Sequence, residues 1–229
     1  MKIIDYVKRI AAGRTDVVID LLASGGAPTA TDADGVSVLT WCAYFGDVSA
    51  VRLLVERGAK LTEFGSDLGL NAAAFHGHWQ LCKYLLDCGA PVNACASDTG
   101  ETPLHAAMTS EDRTRADAVA AVLLRAGADG NARTIAGVAT GAFMRDARTR
   151  GETPLHRAAA FGGATTIHML LDAGADREVK DVHGDTPLSW ASWYRRPTEV
   201  LRLLCYGPHR IRAEYRGMRA NLVGDPDDA

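Results

Sequence analysis

The sequence predicts an all-α repeat solenoid, and three observations predict that fold class. A phrase that begins with Thr-Pro-Leu occurs three times, at residues 102–107, 153–159 and 186–191. A pair of leucines followed shortly by Gly-Ala occurs four times, at residues 53–59, 85–90, 123–128 and 170–175. From Gly58 to Gly207, the glycine that follows the leucines returns at intervals of 31, 38, 47 and 33 residues. Recurrence at such a period is typical of stacked units that bury their apolar faces against one another.

Each phrase predicts one helix of a two-helix unit. In the first phrase, Thr is a favourable N-cap, and Pro follows at a position whose backbone N–H has no partner in a helix. The alanines that come next, such as Ala106 and Ala107, allow neighbouring units to approach closely. In the second phrase, the two leucines supply the core between units, and the glycine ends the helix in a left-handed conformation.

A period near 33 residues, combined with Thr-Pro-Leu-His at 102–105 and 153–156, resembles the ankyrin repeat. The resemblance implies helix-turn-helix units, each with a β-turn finger, an inner helix and an outer helix. It covers residues 1–207, strongly from 95 onward and by spacing before that. It predicts about six repeats with degenerate terminal caps: an N-terminal capping repeat at 1–30, then repeats two to six over 31–207, at 31–62, 63–94, 95–132, 149–180 and 181–207.

Repeats four and five are separated by an insertion, residues 133–148, which is predicted to enlarge a finger loop beside the binding face. It contains four larger apolar residues among glycines and alanines: Ile135, Val138, Phe143 and Met144. Long loops on a rigid scaffold often carry function. The alternative is that this insertion only covers its own exposed edge, and both interpretations stay open.

Residues 208–229 are predicted to form a C-terminal capping helix followed by an acidic tail. Ile211, Tyr215, Met218 and Leu222 fall at helical spacing, with arginines between them. A cap is expected because an open solenoid end leaves apolar surface exposed. The arginines leave a second interpretation open, in which this helix is a basic surface for an acidic partner.

The composition argues against several kinds of partner. The formal net charge of −3 lacks the basic excess of a dedicated duplex-DNA binder, so no nucleic acid partner is predicted. No apolar run approaches the roughly 18 to 20 residues of a membrane span, and the charged start of the chain does not resemble a secretory signal. The five cysteines are scattered through apolar segments, which favours a reducing compartment. We therefore expect a cytoplasmic protein with no membrane partner.

The sequence predicts no catalytic residues, metal site or cofactor. The resemblance gives structural roles to His105 and His156, in the Thr-Pro-Leu-His phrase, and to His78. His76 and His78 alone are too few for zinc, which takes about four ligands. A glycine-rich phosphate loop and a nucleophile elbow are both missing from the sequence. We therefore do not expect an enzyme.

The resemblance implies a concave face, formed by the finger tips and the exposed ends of the inner helices, where partners bind. The two positions before the residue that ends each inner helix are largely aromatic here: Tyr44, Phe45, Phe75, His76, Phe161, Trp193 and Tyr194. Exposed aromatic residues have no role in folding, whereas aromatic anchors dominate interface energies. The alternatives are that the insertion covers them or that they pack between adjacent helices.

Finger positions complete the predicted binding set, and they run acidic in the middle of the array: Phe64, Asp67, Glu101, Glu152, Val182, His183 and Asp185. This composition predicts a partner protein that presents an apolar ridge flanked by basic groups.

The sequence thus favours a non-catalytic protein–protein interaction module, as an adaptor or as an inhibitor or immunity-type partner of another protein. Two alternatives stay open. One is a host-directed bacterial effector, and the other is a small-molecule-binding or enzymatic protein that uses a pocket near residues 133–148. The sequence determines neither the partner's identity nor the oligomeric state.

Overall fold

The structure is a computed structural model that describes residues 2–110, 112–140 and 148–206. Within these ranges, twelve α-helices follow one another as six pairs, and two short 3₁₀ turns lie at Thr15–Val17 and Leu61–Phe64. The first three pairs are α1 (Ile3–Ala11) and α2 (Val18–Ala23), α3 (Val38–Tyr44) and α4 (Val48–Glu56), α5 (Leu70–Phe75) and α6 (Trp79–Asp87). The last three are α7 (Pro103–Ala107) and α8 (Arg113–Arg125), α9 (Pro154–Phe161) and α10 (Ala164–Asp172), α11 (Pro187–Trp193) and α12 (Thr198–Tyr206).

The helices form two layers. First helices pack against neighbouring first helices, as α5 does against α7 and α9 against α11, while α6, α8, α10 and α12 pack in series as a second layer. This arrangement confirms the predicted all-α repeat solenoid. The boundaries of the individual repeats and caps remain predictions, and the predicted C-terminal cap at 208–229 lies outside the described residues.

The core runs continuously between the layers. One leucine of each of the four recurring pairs is almost fully buried on a second helix, as is Leu21 of α2: Leu54, Leu85, Leu123 and Leu170. Facing leucines on the first helices are equally buried: Leu39, Leu70, Leu104 and Leu155. Apolar burial of this kind is the main favourable term in folding, so the stacking of repeats stabilises each unit.

The Thr-Pro-Leu-His phrase caps its helix and also links neighbouring repeats. Nδ1 of His105 accepts from the backbone N–H of Thr102 at 3.2 Å, and Nε2 therefore donates to the Glu152 carbonyl at 3.2 Å. His156 makes the same bonds, to Thr153 at 3.2 Å and to the Asp185 carbonyl at 3.0 Å. These bonds confirm the predicted structural roles of the two histidines.

The insertion begins as a hairpin stem attached to the fingers on both sides. The backbone N–H of Gly137 donates to Thr149 at 2.7 Å, and that of Thr149 donates to Val138 at 2.9 Å. Ile135 donates to the Thr99 carbonyl of the preceding finger at 2.8 Å. The base of the insertion is therefore part of the row of fingers, whereas the predicted apolar residues Phe143 and Met144 lie outside the described residues.

Candidate partner-binding surface

We use the term inner face for the C-terminal ends of the first helices together with the turns that precede these helices. Five of the predicted aromatic residues are exposed on it: Tyr44, Phe45, Phe75, Trp193 and Tyr194. Trp193 is the most open of them, with 78% of its surface exposed. His76 and Phe161 are half-buried. The end of α7 carries no aromatic residue, so it separates the aromatic residues of the second and third helix pairs from those of the last two pairs.

The aromatic residues near the N-terminus form one connected cluster. The ring of Tyr44 lies 5.1 Å from Phe45 and 4.9 Å from His76, and the ring of Phe75 lies 5.3 Å from His76. Tyr44 and His76 belong to successive repeats, so part of this cluster packs between neighbouring units. Its outer parts remain exposed, because Tyr44 and Phe75 keep 51% and 40% of their surfaces open.

A cleft of about 540 Å³ lies beside this cluster. It brings together four of the predicted binding residues: Asp67, Phe75, His76 and Glu101. Burial lowers the pKa of His76, and the neighbouring His78 lowers it further. His76 lines this cleft with an aromatic ring that packs against Tyr44 and Phe75.

A larger cleft of about 930 Å³ lies between the base of the insertion and the last two helix pairs, and we call it the C-terminal cleft. Its lining includes six of the predicted binding residues other than Glu152: Phe161, Val182, His183, Asp185, Trp193 and Tyr194. Phe161 and Tyr194 meet edge to face, with ring centroids 4.8 Å apart. Arg148 and Arg150 contribute the basic part of the lining.

The family model described as "Ankyrin repeats (3 copies)" matches residues 65–134 and 136–214, which is more than half of the chain. The chain belongs to the ankyrin-repeat family. The helix pairs, the capped Thr-Pro-Leu-His phrases and the finger turns described above are therefore those of ankyrin repeats.

Several curated proteins are similar to this ankyrin-repeat chain. Human ankyrin repeat and SOCS box protein 16 is 32% identical over 93% of this chain and 54% of the relative. The putative palmitoyltransferase ZDHHC13 of Danio rerio is 24% identical over 91% of this chain and 35% of the relative. Human neurogenic locus notch homolog protein 2 is 32% identical over 69% of this chain and 6% of the relative. The chain spans about half the length of the first of these and less of the others.

Glu152, predicted as an exposed finger contact, is only 1% exposed, which corrects that prediction. Its Oε1 accepts from Nε and Nη2 of Arg157 at 3.0 and 2.7 Å, and its Oε2 accepts from the hydroxyl of Thr134 at 2.7 Å. Burial acts to raise the pKa of this carboxyl, but Arg157, the Arg150 backbone N–H and Thr134 outweigh burial and lower it to about 2. Glu152 borders the C-terminal cleft, but its side chain stabilises the fold through these buried contacts.

Two other predicted residues also take part in folding. Phe64 is half-buried against the core and lies close to Gly69. Glu101 forms an ion pair with Arg157 and accepts from the hydroxyls of Thr99 and Thr140. The carboxylate of Glu101 therefore ties the fourth finger to the insertion and to the fifth repeat, although the residue is only half-buried.

Arg157 is the residue that sequence reasoning missed. It is completely buried, and it stands where the fourth repeat has Ala106 in the same phrase. That position carries tryptophan in two other repeats, and each tryptophan donates to an aspartate of its own finger: Trp41 to Asp32 at 2.8 Å and Trp190 to Asp181 at 3.1 Å. In three repeats, then, a long side chain with an N–H donor replaces the alanine of the phrase and binds a carboxylate of the preceding finger turn. This replacement was the feature of the sequence that could have indicated the role of Arg157.

The charge of the inner face changes along the solenoid. The finger turns at 31–37, 62–69 and 96–101 contain acidic residues and neither lysine nor arginine. The turns of the second half add basic side chains: Arg133, Arg148, Arg150 and Lys180. Because Glu152 is buried and paired with Arg157, the exposed acidic residues of the fingers lie mainly in the first half of the inner face.

Among the described residues, no three His, Cys, Asp or Glu side chains come together as a metal site would require. In the same part of the chain, no helix combines the length and apolar character needed to cross a membrane.

Proposed function

We propose that this chain is a non-catalytic binding module that holds another protein on its inner face. Ankyrin repeats generally mediate protein–protein interaction, and the carrying observation here is the exposed aromatic row. Trp193, Tyr44 and Tyr194 keep about half or more of their surfaces in water, which folding does not require. Burying such side chains in an interface supplies much of its binding energy.

The acidic first half of the inner face supports a partner with an apolar ridge and basic flanks. Asp67 lines the smaller cleft together with Phe75, and Asp34 and Asp98 are exposed in neighbouring turns. Complementary charge around an apolar contact raises the association rate and disfavours partners with the wrong charge. The basic part of such a partner would lie along these turns.

The experiment is affinity capture with the full chain, followed by measurement of the identified partner's affinity for two sets of variants. Replacing Tyr44, Phe75 and Trp193 with alanine should weaken binding by about 100-fold or more, because each change removes an anchor. The control replaces Trp79 and Ile19, exposed residues of the second helices α6 and α2, and should change affinity by less than about threefold. Equal binding by both sets, with unchanged helical circular dichroism, would exclude the inner face.

Within this class we propose an adaptor, or an inhibitor or immunity-type partner of another protein. The captured protein separates these roles. An enzyme whose activity falls on binding supports an inhibitor, and a non-enzymatic partner that is held together with a third protein supports an adaptor. Capture of a protein from a different organism's cell would favour a host-directed effector instead.

A second candidate function is the binding of a small molecule in the C-terminal cleft. Its volume of about 930 Å³ lies within the range of roughly 300 to 1,000 Å³ typical of ligand sites. A ligand that binds the folded state raises the midpoint of thermal unfolding. A metabolite screen should then yield a stabiliser whose effect disappears in Trp193→Ala, and a screen without one would remove this candidate.

A further inference from the structure

We propose that the C-terminal cleft binds an acidic segment of the partner protein that carries a large apolar or aromatic side chain. This inference rests on the proposed function and gives the chemistry of one contact. It follows from three observations: the exposed apolar lining of the cleft, two arginines beside that lining, and the anchored backbone that holds those arginines.

The apolar lining spans two neighbouring repeats. Trp193, Val182 and Tyr194 are 78%, 58% and 47% exposed, and the half-buried Phe161 lies against Tyr194. Trp190, which is 8% exposed, contributes a nearly covered ring to the same cleft. A large apolar side chain that enters here would remove several aromatic surfaces from water at once, which is the arrangement of an interface anchor.

Arg148 and Arg150 are exposed beside this lining, and one side-chain contact with another described residue is found for each. Nη1 of Arg148 donates to the Gly137 carbonyl at 2.6 Å, and the guanidinium carbon of Arg150 lies 5.8 Å from the ring centroid of Trp190. Neither guanidinium forms an ion pair with a carboxylate of the described residues. A guanidinium has five N–H donors, so within the described residues most of those donors are left for carboxylates of a bound segment.

The acidic groups of the cleft do not cancel this charge. Glu152 is buried and paired with Arg157, and Asp181 is buried and accepts from Trp190 and from the backbone N–H of His183 and Asp185. Asp185 is the remaining carboxylate of the described lining, against the two arginines Arg148 and Arg150. The net positive lining favours an acidic segment over a basic one.

The arginines lie on a backbone that is anchored on both sides. Thr149, between them, is hydrogen-bonded to Gly137 and Val138, and Arg150 accepts from the backbone N–H of Val182 at 2.9 Å. The backbone N–H of Arg150 donates to Oε2 of Glu152 at 2.6 Å. Preorganised groups lose less conformational freedom on binding than groups on a mobile loop, which increases affinity.

The test measures fluorescence anisotropy of short dye-labelled peptides with the full chain. The first probe carries phenylalanine and leucine among aspartates and glutamates. The second replaces every acidic residue with lysine, and the third replaces phenylalanine and leucine with serine. We expect the first probe to bind about tenfold or more tightly than either of the others, and added salt to weaken it. Equal or tighter binding of the lysine probe would overturn the proposal.

Variants locate the binding. Arg148→Glu combined with Arg150→Glu, and separately Trp193→Ala, should each weaken the first probe about tenfold or more. The control pair, Arg125→Glu with Arg202→Glu, changes the net charge equally on exposed positions of the second helices α8 and α12. It should leave the affinity within about threefold, and an equal loss in the control would show a general charge effect and overturn the proposal.

The captured partner separates failure of this inference from failure of the proposed function. If it binds the Arg148→Glu, Arg150→Glu variant as tightly as the unchanged chain but loses affinity for Tyr44→Ala with Phe75→Ala, the cleft is not its contact and the binding function stands. If a second copy of this chain covers the cleft instead, light scattering shows a dimer that the arginine variant dissociates, which also overturns the proposal.

Discussion

Arg157 and Glu152 form an ion pair inside the solenoid, with Nη2 of the arginine 2.7 Å from Oε1 of the glutamate. The arginine is completely buried and the glutamate is 1% exposed. Glu101 of the preceding finger also pairs with the arginine, and the hydroxyl of Thr134 binds the glutamate. One buried cation thereby joins the fourth repeat, the insertion and the fifth repeat.

Replacing Arg157 with methionine should lower the free energy of unfolding by about 3–5 kcal/mol, because it leaves the carboxylate of Glu152 buried without its cation. Chemical denaturation followed by circular dichroism measures the change. Arg125→Met, on an exposed position of α8, should stay within about 0.5 kcal/mol of the unchanged protein.

The double variant Arg157→Met with Glu152→Gln should recover part of that loss, since the buried charge is then removed from both sides. If the two single losses simply add in the double variant, the pair is not coupled and the assignment is wrong.

Stability should fall as the pH is lowered below about 6.5. Burial, with the nearby Arg157, lowers the pKa of His105 from 6.5 to about 3. Between these two pH values the imidazole is protonated in the unfolded chain but not in the folded chain. Between these values the unfolded state holds more protons, and the free energy of unfolding falls by up to about 1.4 kcal/mol per pH unit for this group. Denaturation curves measured from pH 7 to pH 4 should show the decrease.

His105→Gln should unfold more easily at pH 7 but with a shallower pH dependence, and the exposed His168→Gln provides the control. An unchanged slope in His105→Gln would assign the effect to other groups.

A second loss of stability should follow below about pH 4.5. The pKa of Glu152 is lowered from 4.5 to about 2, so its contribution is complete above its unfolded value and is lost as the pH falls toward 2. In Glu152→Gln the unfolding free energy should depend less on pH between about 4.5 and 2. A dependence equal to that of the unchanged protein would contradict the buried ion pair.

The two tryptophans of α11 should differ sharply in their effect on stability. Trp190 is 8% exposed and donates to Asp181, so Trp190→Ala should lower the free energy of unfolding by about 3–5 kcal/mol. Trp193 is 78% exposed, and Trp193→Ala should change it by less than about 0.5 kcal/mol. Parallel denaturation of the two variants makes the comparison, and similar losses would show that Trp193 belongs to the core.

Gly46 should tolerate alanine less well than Gly35. Both have a positive φ, 72° and 81°, so each change to alanine costs about 1–2 kcal/mol in backbone strain. At Gly46 the new methyl group would also lie 2.5 Å from Nδ1 of His78, whose Nε2 bonds the Tyr44 carbonyl at 2.8 Å. At Gly35 nothing lies within 4 Å. Denaturation of both variants should show the larger loss for Gly46→Ala, and equal losses would mean that the imidazole moves aside freely.

Local patterns were enough to predict the helices and their core. Thr102 caps the helix that begins at Pro103, and one leucine of each recurring pair is buried, as expected from each phrase alone. These features depend on residues within about one helical turn, where capping and periodicity rules act directly. The structural role of His105 was also predicted, although its bond to Glu152 spans 47 residues, because it belongs to the repeated phrase.

The role of Arg157 could not be predicted in the same way. Its partner Glu152 is five residues away in sequence, but Glu101 is 56 residues away and meets it only through the stacking of two repeats across the insertion. Sequence spacing alone does not show which charged side chains become buried when these two repeats stack. The same limitation explains why Glu152 was placed on the surface.

The sequence by itself determined the repeated two-helix unit, the threonine N-caps of its first helices and its leucine core. These features depend on short-range patterns that occur in successive repeats. The tertiary structure alone decided which polar side chains face the solvent. It buries Glu152 against Arg157 and leaves Arg148 and Arg150 exposed beside Trp193. Burial at these positions is set by the packing of the insertion between two repeats. With Glu152 buried and paired, the exposed charges in the lining of the C-terminal cleft are mainly those of Arg148 and Arg150.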